Sequence, residues 1–188
     1  MATPVPDPGT RARPLRVVSV GGADGGLLEA LGVELDRRLG TRSAPGEPLP
    51  LDAEWWDGER GRYRSGPIVD ALLRRADGSA DRREWWLGIV EGELCAPGYD
   101  LVFGEATVGG PCAVVGLGPL RARSADGEPR LWDRLVTEAI HELGHLAGAD
   151  HCGDPDCVMY PSHDLADTDR KGNSYCGSCL RTVAEYGA

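Results

Sequence analysis

The sequence contains no apolar run long enough to span a membrane and no apolar N-terminal segment of the signal-peptide type. It is also poor in basic residues, with 20 Lys and Arg against 30 Asp and Glu and a formal net charge of −10. Binding to nucleic acid needs concentrated positive charge, so this balance argues against a nucleic-acid partner. We therefore expect a cytoplasmic protein with no membrane and no nucleic-acid partner.

Internal repeats are lacking as well, as is any linker long enough to separate two domains. The 188 residues fit one domain, and the 41% of apolar residues can supply one buried core. Residues 1–14 are rich in Pro and are predicted to form a flexible tail. The remainder, 15–188, is predicted to be a single domain whose C-terminal part, 149–188, has little hydrophobic periodicity.

Strand and helix patterns alternate along the first half of the chain, and a pair of strands precedes the longest helical pattern. Strands are predicted at 16–20, 51–55, 85–90, 102–107 and 112–117, and helices at 27–39, 67–75 and 131–147. Gly109 and Gly110 separate the last two strands, which predicts an antiparallel hairpin with a tight turn. The fold class is therefore α/β (α+β), with a mixed twisted sheet, one antiparallel edge strand and a long helix.

Histidine is scarce, with four residues in the chain, yet three of them fall between positions 141 and 151. His141 and His145 are four residues apart in the predicted helix 131–147, so both imidazoles project from one helix face and can bind one ion. Gly148 can end the helix in a left-handed conformation and turn the chain back. His151 then completes three nitrogen ligands of a catalytic zinc, with the fourth position left for water.

Glu142 lies between the two helical histidines and is displaced around the helix, so it can sit beside the metal without binding it. A carboxylate there can take a proton from the zinc-activated water and return it to the leaving amine, which makes Glu142 the candidate general base. The alternative for His141 and His145 is a pair of buried structural histidines. The fourth histidine, His163, has no matching spacing and is expected in a loop.

The six cysteines are unevenly placed, because four of them crowd into the C-terminal stretch. Two close pairs separated by a loop are typical of a closed, tetrahedral structural zinc site; here they are Cys152, Cys157, Cys176 and Cys179. A redox pair or two disulfides are the alternatives, and both are less expected in a reducing cytosol. Cys95 and Cys112 lie in apolar stretches and are expected to be buried. Together the two ligand sets predict two zinc ions per chain.

The run His141-Glu142-x-x-His145-x-x-Gly148-x-x-His151, followed by the four cysteines and Met159, resembles the signature of the archaemetzincins, a branch of the metzincin metallopeptidases. The resemblance extends to residues 169–171 and to 87–117, and it covers the C-terminal half well and the N-terminal half only loosely. It implies a metzincin-like mixed sheet with a long active-site helix, a catalytic zinc on the three histidines, and a C-terminal segment held by a zinc on the cysteines. It also implies that Glu142 is the general base and that Met159 forms a methionine turn beneath the catalytic metal. Tyr175 stands where the family often has phenylalanine.

The strand at 102–107 is the candidate substrate-binding edge of the sheet. It mixes polar residues and glycine with apolar ones, which suits an edge; its members are Val102, Phe103, Gly104, Glu105, Ala106 and Thr107. An extended peptide can pair with such an edge through main-chain hydrogen bonds, and the resemblance to metzincins points to the same arrangement. The alternative is that Glu105 only keeps the edge soluble.

These patterns predict a monomeric zinc metallopeptidase that acts on a peptide or protein substrate. The rival hypotheses are a zinc-dependent amidase acting on a small substrate and a non-catalytic zinc module that binds another protein. An intact Glu142 argues against the second rival, because a binding module has no need of a carboxylate at that position. Tyr160, next to Met159, either assists an oxyanion or lies at the surface.

Overall fold

The computed structural model describes residues 12–124, 127 and 130–187. The strands are β1 (Arg13–Val20), β2 (Thr41–Pro45), β3 (Trp56–Asp57), β4 (Arg62–Arg64), β5 (Trp85–Val90), β6 (Leu94–Ala96), β7 (Tyr99–Val102), β8 (Gly104–Ala106) and β9 (Cys112–Gly116). The helices are α1 (Gly25–Leu39), α2 (Ser65–Asp77), α3 (Leu117–Leu120), α4 (Leu131–Leu146), α5 (Leu165–Arg170) and α6 (Gly177–Gly187). No helix among these residues is long and apolar enough to cross a membrane.

The larger sheet has five strands in the order β2-β1-β5-β9-β8. Its first four strands run parallel, and β8 pairs antiparallel with β9 at the edge. The turn between β8 and β9 depends on Gly109, whose φ of 69° lies in the left-handed region. These features confirm the predicted mixed sheet with one antiparallel edge strand.

A second sheet of four short strands, in the order β3-β4-β6-β7, was not predicted from the sequence. The predicted strand at 51–55 is wrong, because Ala53–Trp55 forms a single 3-10 turn. Asp52 explains the difference: its carboxylate accepts a hydrogen bond from the N–H of Glu54 at 2.9 Å and so stabilises the start of the turn.

The predicted strand 102–107 is divided between the two sheets. Val102 ends β7 and pairs with Leu94 in the small sheet, whereas β8 at the edge of the large sheet begins at Gly104. Phe103 lies between them and is buried, with 6% of its surface exposed. Thr107 follows β8, and its N–H donates to the carbonyl of Cys112 at 3.2 Å. Only Gly104–Ala106 therefore forms the edge strand proper.

The large sheet is covered on both faces. On one face α1 and α4 pack against residues such as Leu87 and Val115, and on the other α2 packs against residues such as Val114. Every residue of α4 from Arg134 to Leu146 is buried. Burial of a large apolar side chain contributes about 1.5–3 kcal/mol, so a helix with this many buried residues is held firmly in place. The side chains that α4 presents to the site are fixed by that packing.

The three predicted helices are found, with their ends within two residues of the prediction. Asp24 caps α1 through its carboxylate, and Gly40 ends it at a φ of 67°. The longest helix ends at Leu146, one residue before the prediction, and Gly148 has a φ of 75°. At the N-terminus, β1 begins at Arg13, so the last residues assigned to the tail are in the sheet. Residues 1–11 of the predicted tail lie outside the described residues.

Candidate metal centre and active site

The two histidines of α4 lie close enough together to bind the same metal ion. His141 and His145 are buried, and their Nε2 atoms are 3.1 Å apart. A tetrahedral zinc with Zn–N bonds of about 2.0–2.1 Å would place two such nitrogens roughly 3.4 Å apart. The observed spacing therefore fits one shared metal ion.

His151 reaches the same point by the chain reversal after α4. The N–H of Ala149 donates to the carbonyl of Gly144 at 3.0 Å, and the left-handed Gly148 turns the backbone toward the helix. The ring of His151 then lies 5.4 Å from that of His141 and 4.9 Å from that of His145, centre to centre. One nitrogen of each histidine lies within 4.8 Å of the others, so the structure brings the three predicted ligands together.

Backbone carbonyls orient the two buried rings. The Nδ1 atom of His141 lies 2.7 Å from the carbonyl oxygen of Val158, and Nδ1 of His145 lies 2.7 Å from that of Ala149. A carbonyl can only accept, so each Nδ1 carries the proton and donates. Each Nε2 therefore presents its lone pair to the shared point, which is the arrangement that metal ligation requires.

The electrostatics of the cluster favour neutral imidazoles. Burial lowers the pKa of His141 well below its usual value, and the nearby charge of Lys171 adds to this effect. Burial is also the main cause that lowers the pKa of His145 and of His151. Neutral rings are the form that binds zinc, so no proton has to be displaced from the ligands at neutral pH.

Glu142 lies between the histidine pair and the edge strand. Only 4% of its surface is exposed, and burial, with the charge of Glu138 second, raises the pKa of its carboxyl well above the ordinary value. Among the described residues its Oε2 atom has no hydrogen-bond partner. A Cβ built at Gly104 would lie 2.7 Å from Glu142 Cδ, so glycine at this position leaves the space that the carboxylate occupies.

Met159 packs against α4, and its place in a methionine turn stays a prediction. It is fully buried, and its carbonyl accepts from the N–H of Cys152 at 2.9 Å. Gly144 allows Met159 to approach the helix closely, because a Cβ at this position would overlap Met159 Sδ and lie 3.0 Å from the ring of Tyr175. The hydroxyl of Tyr175 donates to the carbonyl of Ile140 at 2.9 Å, which the phenylalanine frequent in the family could not do.

Tyr160 and His163 pair with charged residues of α5 and are not part of the histidine cluster. The ring of Tyr160 faces the guanidinium of Arg170, whose carbon lies 5.4 Å from the ring centre. His163 is 74% exposed and pairs with Asp167 at 3.4 Å, which agrees with its expected place in a loop.

The four C-terminal cysteines form a second cluster. Their sulfurs all lie within 4.8 Å of one another, and those of Cys152 and Cys176 are 3.8 Å apart. Zn–S bonds of about 2.3 Å in a tetrahedron imply a sulfur–sulfur distance of roughly 3.8 Å, so the thiols fit a zinc ion. All six cysteines are free thiols, and the pKa of Cys176 falls to about 6, mainly because the N–H of Cys179 donates to its sulfur. Cys95 and Cys112 are buried elsewhere, as expected.

Sequence reasoning missed a buried ion pair beside His141. Lys171 Nζ lies 3.2 Å from Glu138 Oε1 and 3.4 Å from His141 Nδ1. The available signal was the position of Glu138, three residues before His141 and therefore on a neighbouring part of the same helix face. Nothing in the sequence indicated that a lysine 33 residues further along would be its partner.

Comparisons with known proteins agree with this geometry. The family model described as Peptidase family M54 matches residues 85–185. An archaemetzincin from Methanopyrus kandleri is 41% identical over 125 residues, which cover 66% of this chain and 67% of that protein. The crystal structure of archaemetzincin from Methanopyrus kandleri superposes with a TM-score of 0.78 at 27% identity, covering 97% of this chain and 98% of that one. A zinc-dependent peptidase from Methanocorpusculum labreanum gives 0.77 at 27% identity, covering 90% and 99%. The chain therefore belongs to peptidase family M54, the archaemetzincins, which are zinc metallopeptidases.

Proposed function

We propose that this protein hydrolyses peptide bonds at a zinc ion held by His141, His145 and His151, with Glu142 as the general base. The observation that supports this proposal best is a buried carboxylate with a free oxygen beside three converging, neutral imidazoles. When bound, zinc would polarise the scissile carbonyl and lower the pKa of the attacking water. The remaining chemistry falls to the side chains and the backbone of the chain.

Glu142 moves the proton. Burial favours the protonated form of its carboxyl, so the group readily accepts a proton from the attacking water. The positive charge of Lys171 opposes that effect. Once protonated, Oε2 can donate to the leaving amine, because no described residue competes for it. One carboxylate thus serves as base and then as acid.

The edge strand β8 is the proposed binding surface for the peptide. Phe103 accepts from the N–H of Gly116 and Thr107 donates to Cys112, so odd-numbered residues direct their backbone groups toward β9. The N–H and C=O groups of Gly104 and Ala106 therefore point away from the sheet, where an extended peptide can pair with them. Glu105 accepts a hydrogen bond from Ser65 on the opposite face of the sheet, which argues against the alternative that Glu105 only keeps the edge soluble.

The cysteine cluster is proposed to hold a second, structural zinc, which gives two zinc ions per chain. Its four ligands close the coordination shell and leave no position for substrate. Cys152 follows His151 directly, so this zinc would also fix the backbone that presents the third histidine. We further propose that the enzyme acts as a monomer in the cytoplasm, where the free thiols stay reduced.

Two features, one side chain and one stretch of backbone, separate this proposal from its rivals. A binding module would not need the unpaired buried carboxylate of Glu142, and a small-molecule amidase would not need the free edge at Ala106. The test is a digest of a peptide library and of a panel of small amides by the wild type and Glu142→Gln. We expect cleavage of peptides, a loss of about a hundred- to ten-thousand-fold in the variant, and two zinc ions in both proteins.

Glu84→Gln is the matched control, because Glu84 is also a buried glutamate but pairs with Arg16, outside the histidine cluster. It should retain peptide cleavage. Full activity in Glu142→Gln, or loss of the histidine-bound zinc from that variant, would refute the role given to Glu142.

A further inference from the structure

A buried ion pair joins α4 to the residue that follows α5. The side chains of Lys171 and Glu138 are 0% and 3% exposed, and Nζ lies 3.2 Å from Oε1. The same oxygen of Glu138 accepts from the hydroxyl of Ser162 at 3.0 Å and from that of Thr168 at 2.9 Å. The carboxylate is therefore fully engaged, and all of its partners lie on the C-terminal segment.

Lys171 separates this carboxylate from the metal ligand His141. Its ammonium is 3.4 Å from Glu138 Oε2 and 3.4 Å from His141 Nδ1, and it donates to the carbonyl of Tyr160 at 3.2 Å. The contact with His141 is not a hydrogen bond, because Nδ1 already donates its proton to Val158. The structure thus places a positive charge against the edge of a zinc-ligand ring.

This placement has a chemical consequence for the metal. A histidine ligand that donates Nδ1–H to a carboxylate becomes a stronger donor, because the carboxylate raises its basicity. Glu138 lies one helical turn before His141 and would be the natural carboxylate partner. Lys171 holds it away, and His141 is left with the neutral carbonyl of Val158.

We propose that Lys171 is a positioning residue that weakens zinc binding at the histidine site and so keeps the catalytic zinc electrophilic. It does so by keeping Glu138 off His141 and by placing its own charge beside the ring. The inference rests on the proposed histidine zinc site. It goes beyond that site because it assigns a role to two residues that touch neither the metal nor the substrate.

Opposite changes of charge distinguish this role from a structural one. Lys171→Met removes the positive charge, and we expect zinc affinity at the histidines to rise about tenfold to a hundredfold while kcat falls. Glu138→Gln keeps the hydrogen-bonding shape but removes the negative charge, and we expect zinc affinity to fall by a similar factor. The double variant should return to within a few-fold of the wild type. A pair that only stabilised the fold would weaken zinc binding in both single variants.

The measurement is competition with a chromophoric chelator on the full-length protein, with the cysteine site left loaded and kcat recorded in parallel. Asp169→Asn is the control, because Asp169 of α5 forms a second ion pair with α4, to the buried Arg134 at 2.6 Å. It should lower thermal stability and leave zinc affinity unchanged within about twofold. A shift in the control as large as in Lys171→Met would overturn the proposal.

The sign of the two single variants decides the outcome. Shifts of opposite sign support the proposal, and shifts of the same sign, or none, overturn it. If Lys171→Met does not fold, the proposal still requires a loss of affinity in Glu138→Gln that the double variant restores. A wild type that binds no zinc at the histidines or cleaves no peptide would instead refute the proposed function.

Discussion

Gly104→Ala is the substitution that tests most directly whether Glu142 and the edge strand form one site. A Cβ at this position would lie 2.7 Å from Glu142 Cδ and 2.7 Å from the carbonyl oxygen of Val114, and it would overlap Glu142 Oε1. Gly104 has no positive φ, so alanine is compatible with the backbone and the effect is steric. Because Val114 is part of the central sheet, its carbonyl contact can be relieved only by a small backbone adjustment, whereas the carboxylate of Glu142 is the side chain that must move aside.

The magnitude follows from the size of that displacement. Overpacking a well-packed interior costs about 1–3 kcal/mol, which lowers Tm by roughly 2–12 °C in a domain of this length. Misplacing a catalytic group by about 1 Å can cost on the order of a hundredfold in rate. We therefore expect kcat/KM for peptides to fall about a hundredfold, while both zinc ions remain bound.

The assay combines peptide kinetics, zinc analysis and thermal unfolding. Gly66→Ala is the matched control, because a Cβ at Gly66 meets nothing within 4 Å. In a Glu142→Ala background only the contact with the carbonyl oxygen of Val114 remains, so adding Gly104→Ala should cost clearly less stability than it does in the wild type. Wild-type kcat/KM in Gly104→Ala, or an equal stability loss in both backgrounds, would refute the contact on which the reasoning depends.

Three further predictions concern the edge strand, the two clusters and pH. Ala106→Pro removes an outward-pointing N–H without breaking a hydrogen bond to β9, so it should raise KM for peptides several-fold and leave the zinc content normal. Ala106→Val is the control, and an unchanged KM in Ala106→Pro would place the substrate elsewhere. Cys152→Ser should lose one zinc ion and lower Tm more than His145→Ala, because the proposed cysteine zinc would supply folding free energy to its segment; equal Tm values would contradict this. The pKa of Glu142 is raised in the folded state, so its stabilising protonated form is lost as pH rises through the folded-state pKa. In zinc-free protein, Glu142→Gln should therefore raise Tm relative to the wild type by more at pH 8 than at pH 5.

The proximity of the three histidines could be predicted from the sequence because their geometry is local. Two histidines four residues apart on a helix must share a face. Gly148 can adopt a left-handed conformation that turns the chain back and brings His151 close to them. The hairpin from β8 to β9 was predictable for the same reason, because Gly109 lies between two strand patterns. Short sequence separations thus account for the parts of the site that were found.

The features that sequence reasoning missed depend on distant residues or on very short elements. The small sheet contains strands of two and three residues, such as Trp56–Asp57 and Arg62–Arg64, which show no measurable periodicity. The assignment of 102–107 to one strand failed because Val102 has its partner, Leu94, in another sheet. Pairing of Glu138 with Lys171 is likewise set by tertiary packing and leaves no local pattern.

The C-terminal segment supplies parts of the catalytic site but little of its own core. Among the described residues from 149 onward, the buried apolar side chains are Ala149, Cys157, Val158 and Met159. Yet this segment provides the proposed zinc ligand His151, the Val158 carbonyl that orients His141, and the ammonium of Lys171. Its main-chain hydrogen bond from Cys152 to Met159, at 2.9 Å, ties the backbone of the cysteine cluster to the residue that follows Val158. Since so few apolar contacts hold it, a zinc ion on the cysteines would also set the geometry of the histidines, and damage to the cysteine cluster should reach the active site through that backbone.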